Sequence, residues 1–364
     1  MFKLKIRCFY IKTQQKENTM KTLRKILLST VLTVFAFVPA NAGEMTLSGS
    51  MEISATTGLS GANSGGRLGQ ENELTVKGST ELDDGTTVSY EQTLTGDNAR
   101  NDSKLSFGTS YGTIEMTSRG TPIDAIDNKT PTAFEEGFHG ATTWTQVGQN
   151  DGSFGIRYTN ADILPLGLKL DTMYFPTVGA GDAASDEGTS GTSNAHYDNS
   201  YEIVVSGNVP MVDGASFGLG YATADSYVTS RGDREEGTAY VNYSYGPVSL
   251  GAQFGLVAFD IKTQSDGATD VEWYKNTYYG ISYAVNDNLS VSYQNNESQK
   301  HSRVDGTTTM DGSFGINAKQ ESDGFSVAYT LGGMTISYVD NNHDNESYGS
   351  TSKDYRQIVL GVAF

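Results

Sequence analysis

The chain has 364 residues and a formal net charge of −18, with 37% hydrophobic residues, a mean hydropathy of −0.40, 42 Gly and 7 Pro. That acidic balance excludes a nucleic-acid partner, which needs clustered Lys and Arg, and the lone Cys8 leaves the rest of the chain without a disulfide or a thiolate metal ligand. Tyr (21) and Phe (15) far outnumber Trp (2), and with abundant Gly, Thr, Ser and Asn they favour short strands and tight turns over helices.

The basic residues are unevenly placed. Residues 1–42 hold eight of the 25 bases and one of the 43 acids, leaving 17 bases against 42 acids, a net of −25. Met20-Lys21-Thr22-Leu23-Arg24-Lys25 reads as a short basic leader, Ile26 to Val38 as an apolar stretch short of the ~20 residues a helical span needs. Pro39-Ala40-Asn41-Ala42 then supplies the small residues of a cleavage site before Gly43. The expected division is therefore a signal peptide over 20–42 and a mature domain over 43–364. Residues 1–19 lack strand or helix logic, and Met20 is the expected start.

Within the mature part no apolar run approaches ~18 residues, which excludes a helical membrane protein. Alternation recurs instead. Met45, Leu47, Met51 and Ile53 interleave with Thr46, Ser48, Ser50 and Glu52; Leu74 and Val76 with Glu73, Thr75 and Lys77; Val88, Tyr90 and Leu94 with Ser89, Glu91 and Thr93. Sixteen such segments are expected: 45–55, 70–80, 86–95, 102–109, 112–118, 153–159, 166–174, 200–208, 215–223, 237–245, 248–259, 276–285, 288–295, 322–331, 334–340 and 355–364. The fourteenth is open at its start, because Gly312 to Lys319 could lengthen it or form a flap.

The connections alternate too. Asp83-Asp84-Gly85, Tyr111-Gly112, Ile163-Leu164-Pro165, Pro210 to Gly214, Gly246-Pro247, Asn286-Asp287 and Gly332-Gly333 are tight turns. The intervening connections, 56–69, 96–101, 119–152, 175–199, 224–236, 260–275, 296–321 and 341–354, are long. Short turns on one rim and long loops on the other, over an even strand number, describe an outer-membrane antiparallel β-barrel. A soluble sandwich or solenoid would need the polar faces of these segments to build a second interior. Tyr90, Tyr158, Tyr174, Tyr201, Tyr221, Tyr243, Tyr283, Tyr293, Tyr329 and Tyr338 fall at or near strand ends, where interfacial aromatic girdles belong.

The last strand, Gln357 to Phe364, carries Ile358, Leu360, Val362 and Phe364 on one face and stops on an aromatic. It resembles the C-terminal signal by which barrel substrates are recognised during outer-membrane assembly. With the opening MTLSGSMEISA, the sixteen segments and the long third loop, the mature chain resembles the general porins of Gram-negative bacteria, particularly the alphaproteobacterial type. The resemblance implies a homotrimer, passive diffusion of small hydrophilic solutes, a third loop folded into the lumen, and a last strand closing against the first.

Carried over by position, the constriction sets loop acids Asp124, Asp127, Glu135 and Glu136, with Lys129 among them, against inward wall bases Lys77, Lys104, Arg157 and Lys169 and Arg119 at the loop root. Opposed charges of this kind would make a transverse field and a modest cation preference. The family often carries a dense arginine ladder; here the wall bases are few and mostly lysine. No cofactor is expected. The acidic runs Asp182 to Glu187 and Asp266 to Glu272 could take Ca²⁺, but their spacing fits no defined loop and solvated surface charge accounts for them.

His139, His196, His301 and His343 are all expected in outer loops, and no Ser or Asp joins a His in an enzyme constellation. Two functional classes therefore remain, a non-specific porin and a binding barrel such as a substrate-specific channel or an adhesin. The inward residues are mostly Ser, Thr, Glu, Asp and Lys rather than an aromatic track, which favours the first. Expected partners are outer-membrane lipid, further copies of the chain, and small solutes and ions.

Overall fold

A computed structural model of the protein describes residues 43–58, 66–96, 99–134, 145–178, 197–226, 232–260, 269–304 and 318–364. The expected leader and signal peptide, residues 1–42, lie outside them. Sixteen strands follow in order: β1 (Glu44–Thr57), β2 (Arg67–Glu81), β3 (Thr87–Thr95), β4 (Ala99–Thr109), β5 (Gly112–Thr117), β6 (Gly155–Asn160), β7 (Lys169–Phe175) and β8 (Tyr197–Asn208). The second half is β9 (Ala215–Ser226), β10 (Arg234–Tyr245), β11 (Val248–Phe259), β12 (Thr269–Ala284), β13 (Leu289–Val304), β14 (Ala318–Leu331), β15 (Met334–Asp344) and β16 (Lys353–Ala363).

Each strand pairs with its sequence neighbour, and β1 pairs antiparallel with β16, closing the barrel. The closing register runs from Ser50 opposite Ala363 to Thr57 opposite Arg356, and Gly49 and Phe364 exchange backbone hydrogen bonds at 2.8 and 2.9 Å. No backbone edge remains along this seam, which is the condition for strands to stand in hydrocarbon. The tight rim is built from local chemistry: Gly246 (φ 56°) and Gly332 (φ 62°) take the left-handed conformation that two-residue hairpins demand and side chains resist.

Burial is inverted relative to a water-soluble protein, where apolar side chains go inside. On β8, Ser200 and Glu202 are buried while Tyr201 and Ile203 are exposed; on β13, Ser292, Gln294, Asn296 and Ser298 are buried and Tyr293 is exposed. The polar phase therefore faces the interior and the apolar phase faces outward, where lipid satisfies it. The ten girdle tyrosines are exposed or half-buried, and two of them donate hydrogen bonds to acids, Tyr293 to Asp323 and Tyr338 to Asp340, each at 3.2 Å.

Several strands run further toward the long-loop rim than alternation predicts. β13 continues from 295 to Val304, and β12 starts at Thr269 rather than 276. Of the expected loop 296–321, residues 296–304 belong to β13 and 318–321 to β14, which starts at Ala318, so Lys319 belongs to the strand; 305–317 lie outside the described residues. The physical reason, plainest in β13, is that above the apolar band the outward face turns polar as well, with Asn295, Glu297 and Gln299 alternating with the buried Asn296 and Ser298, and a strand polar on both faces has no alternation to reveal it. The same effect corrects the histidines: His301 lies in β13 and His343 in β15, where Ser322 Oγ lies 2.6 Å from its Nδ1. His139 and His196 lie outside the described residues. So does 182–187, whereas Asp270 to Glu272 of the other acidic run belongs to β12, with Glu272 paired to His301 at 3.1 Å.

Candidate functional site in the barrel interior

Wall bases and acids form a continuous ladder across six neighbouring strands. Register sets Lys77 of β2 opposite Glu91 of β3, and Glu91 opposite Lys104 of β4. The ammonium of Lys77 lies 3.0 Å from Glu91, and that of Lys104 lies 3.7 Å from Glu91 and 3.9 Å from Glu115 of β5. Glu115 pairs in register with Arg157 of β6 at 3.6 Å. Arg157 grips Asp171 of β7 with two charge-assisted hydrogen bonds, 2.7 and 2.6 Å, and donates a third, 2.8 Å, to the carbonyl of Gly120 at the root of the third loop. Lys169 closes the row 3.0 Å from Asp171.

The third loop leaves β5 at Thr117 and returns at Gly155. Its described parts lie along the inward faces of β8 and β10 to β13. Glu202 accepts the backbone N–H of Ile123 (2.9 Å) and the Asn150 amide (2.9 Å); Glu236 accepts the N–H of Gly148 (2.7 Å) and Gln149 (3.2 Å) and pairs with Arg234 at 2.9 Å. Arg234 also donates to the Asn150 amide oxygen. Gln253 donates to the carbonyls of Ile126 and Asp127 and accepts the N–H of Lys129, satisfying three loop groups with one amide. Ser292 accepts from Ala133, Gln294 donates to Thr130, and Asn276 donates to the Thr145 carbonyl.

Ile123, Ile126 and Val147 of the loop are buried against Val204, Ala222 and Val257 of the wall. Each such aliphatic contributes about 2 kcal/mol relative to exposure. The bed is cleared by inward glycines. A Cβ at Gly251 would come within 2.4 Å of Pro131 Cδ, one at Gly280 within 2.7 Å of the Pro131 carbonyl, and one at Gly220 within 3.0 Å of Ile126 Cδ1.

The expected site residues therefore fall into three groups. Lys77, Lys104, Arg157 and Lys169 share the ladder, each beside at least one carboxylate. Arg119 sits at the loop root, 3.3 Å from Asp151. Asp124 opens a single 3-10 turn, Asp124–Ile126, and Asp127 follows it; Asp124 is half-buried, and Lys129 further along is exposed. Asp127 is 7% exposed and accepts a hydrogen bond from Gln146. Burial, reinforced by the neighbouring Asp124 carboxylate, pushes its carboxyl up to about 8. Glu135 and Glu136 lie outside the described residues.

Sequence reasoning passed over Glu91, Glu115 and Asp171 as partners of the bases, and Asn150, Glu202, Arg234, Glu236 and Gln253 as loop anchors. The available signal was phase: these wall residues share the inward alternation with the bases, and the glycines of the bed interrupt that same phase. At the seam, Ile358, Leu360, Val362 and Phe364 all point outward, with Phe364 78% exposed.

Comparisons with known proteins agree with this geometry. A family model described as Gram-negative porin matches residues 29–349. A search of curated proteins found no match. Among solved structures, the outer-membrane protein OmpT of Vibrio cholerae superposes with a TM-score of 0.64 at 9% identity, over 90% of this chain and 99% of that one. OmpF of Salmonella typhi, in complex with daunomycin, gives 0.62 at 13% identity over 89% and 98%, and a variant of the Rh. blastica porin 0.56 at 15% over 88% and 100%. A closed sixteen-strand barrel with a polar interior and an apolar exterior, the chain belongs to the Gram-negative porin family, the channels of the outer membrane.

Proposed function

We propose that the protein is a general, non-specific porin: a homotrimer in which each barrel passes small hydrophilic solutes and ions down their gradients, narrowed by the third loop and modestly selective for cations. The observation that carries this reading is the hydrogen bonding of the third loop's described parts to inward side chains of β8, β10, β11 and β13, across from the strands that bear the charge ladder. A solved form of OmpT of Vibrio cholerae is described as a trimer, in line with a trimer here. Transport in this reading needs no cofactor.

The cation preference follows from charge. The chain beyond residue 42 has a net of −25, and the ladder's bases are offset by Glu91, Glu115 and Asp171. Fields in the lumen are screened over about 8 Å near physiological salt, so acids at the narrowing outweigh those of distant loops. Asp124, Glu135 and Glu136 are the loop acids of this reading, joined by Asp127 once it ionises. In planar bilayers the protein should open in stepped conductances with a zero-current potential of cation-preferring sign. Neutralising Asp124, Asp127, Glu135 and Glu136 together to Asn or Gln should move that potential toward anions, most at low salt. Larger conductance with unchanged ion preference would make the loop a steric plug alone.

A further inference from the structure

We propose that the strip Lys77, Glu91, Lys104 and Glu115 is a two-sign guide for zwitterionic solutes, small molecules carrying an ammonium and a carboxylate about one strand spacing apart. The proposal rests on the porin reading above and names the solute class that its wall favours.

Neighbouring strands lie ~4.8 Å apart, so Lys77, Glu91 and Lys104, in register across β2 to β4, alternate in sign at that interval, and Glu115 of β5 adds a second carboxylate diagonally from Lys104. Along the strip the pairings differ in tightness. Lys104 stands 3.7 and 3.9 Å from two carboxylates, beyond a hydrogen bond to either, so it can accept a solute carboxylate without abandoning a tight partner. Glu91 is held at 3.0 Å by Lys77 on one side only, and Lys77 is 54% exposed. The far end is different in kind: Arg157 is locked on Asp171 and on the loop-root carbonyl of Gly120, which terminates the strip and fixes its position relative to the loop.

A wall of bases alone would draw a carboxylate and repel an ammonium. A wall of alternating sign meets both ends of a zwitterion at once, while a simple ion feels opposing contributions that partly cancel. Exposed ion pairs are weak, which suits a channel, because a solute must leave as readily as it enters.

The test uses the purified full-length mature trimer in liposomes, with 4-aminobutyrate as zwitterion and erythritol as a neutral solute of comparable size. The wild-type protein should pass 4-aminobutyrate about two- to fivefold faster than erythritol, the range that exposed ion pairs support. The double substitution Glu91→Gln with Glu115→Gln should bring that ratio to unity and move the zero-current potential toward anions, with erythritol flux retained. Lys77→Gln with Lys104→Gln should abolish the ratio as well, while moving the potential toward cations. A ratio of unity in the wild type, or one that survives both double substitutions, overturns the guide. Loss of erythritol flux in both double variants overturns it too, by making the strip structural. Absence of erythritol flux in the wild type would instead remove the porin reading itself.

Discussion

Glu91 and Glu115 on β3 and β5 stand part-way into solvent beside lysines, whereas Glu202 and Glu236 on β8 and β10 are sunk beneath the third loop and hold its backbone. The same side chain, in the same inward phase of the same kind of strand, does two jobs. On the ladder half its charge is available to solutes and contributes little to stability. On the anchor half its oxygens are consumed by loop donors, and the charge serves to place the narrowing. Burial decides between them, because a hydrogen bond to a charged group gains strength as water is excluded and its loss leaves donors unpaired.

The largest expected effect tests the anchor half. Glu202→Ala should strip acceptors from Ile123 and Asn150 and destabilise the barrel by about 3 kcal/mol or more, read in denaturant unfolding, and should raise or destabilise single-channel conductance as the loop shifts. The matching change on the ladder, Glu91→Gln, should cost under about 1 kcal/mol. Equal costs would erase the distinction between the halves.

Next comes the glycine bed. Gly280→Val should push on Pro131 and Thr130 and cost about 1–3 kcal/mol by overpacking. Gly108→Ala on β4, where an added Cβ meets only Thr87 at 3.7 Å, should stay within about 0.5 kcal/mol. A conductance change from the first and none from the second would sharpen the comparison.

The seam between β1 and β16 belongs to neither half, and Phe364→Ser should lower outer-membrane yield while leaving the conductance of inserted channels unchanged, because the terminal aromatic faces outward. Unaltered trimer yield would remove its role in assembly.

The smallest effect is a pH response of the loop. Asp127 is raised from its ordinary 3.8 to about 8, so its neutral form is the one the folded loop favours. Its contribution to loop docking is full below about 4 and is lost as pH rises toward 8. Cation preference should accordingly increase between pH 7 and 9 as the carboxyl ionises, and Asp127→Asn should flatten that change. A pH-independent zero-current potential in the unaltered protein would contradict this assignment.

The sequence by itself determined what depends on neighbours along the chain. Period-two alternation marked the sixteen strands, and Gly, Pro and Asn at Gly246-Pro247, Asn286-Asp287 and Gly332-Gly333 marked the turns, because side-chain face and turn conformation are set within a few residues. Tertiary structure alone decided what depends on register and close approach. That Lys104 of β4 opposes Glu91 and lies diagonally from Glu115 follows from pairing across three strands, and which residue opposes which is fixed by turn geometry and ladder alignment rather than by local composition. That Gly251 and Gly280 exist to admit Pro131, 120 and 149 positions earlier in the chain, emerges only once the loop is laid on the wall. The polar end of β13 was hidden for a related reason: with polar side chains on both faces, a strand is held by its backbone partners, and those partners leave no trace in the side-chain pattern.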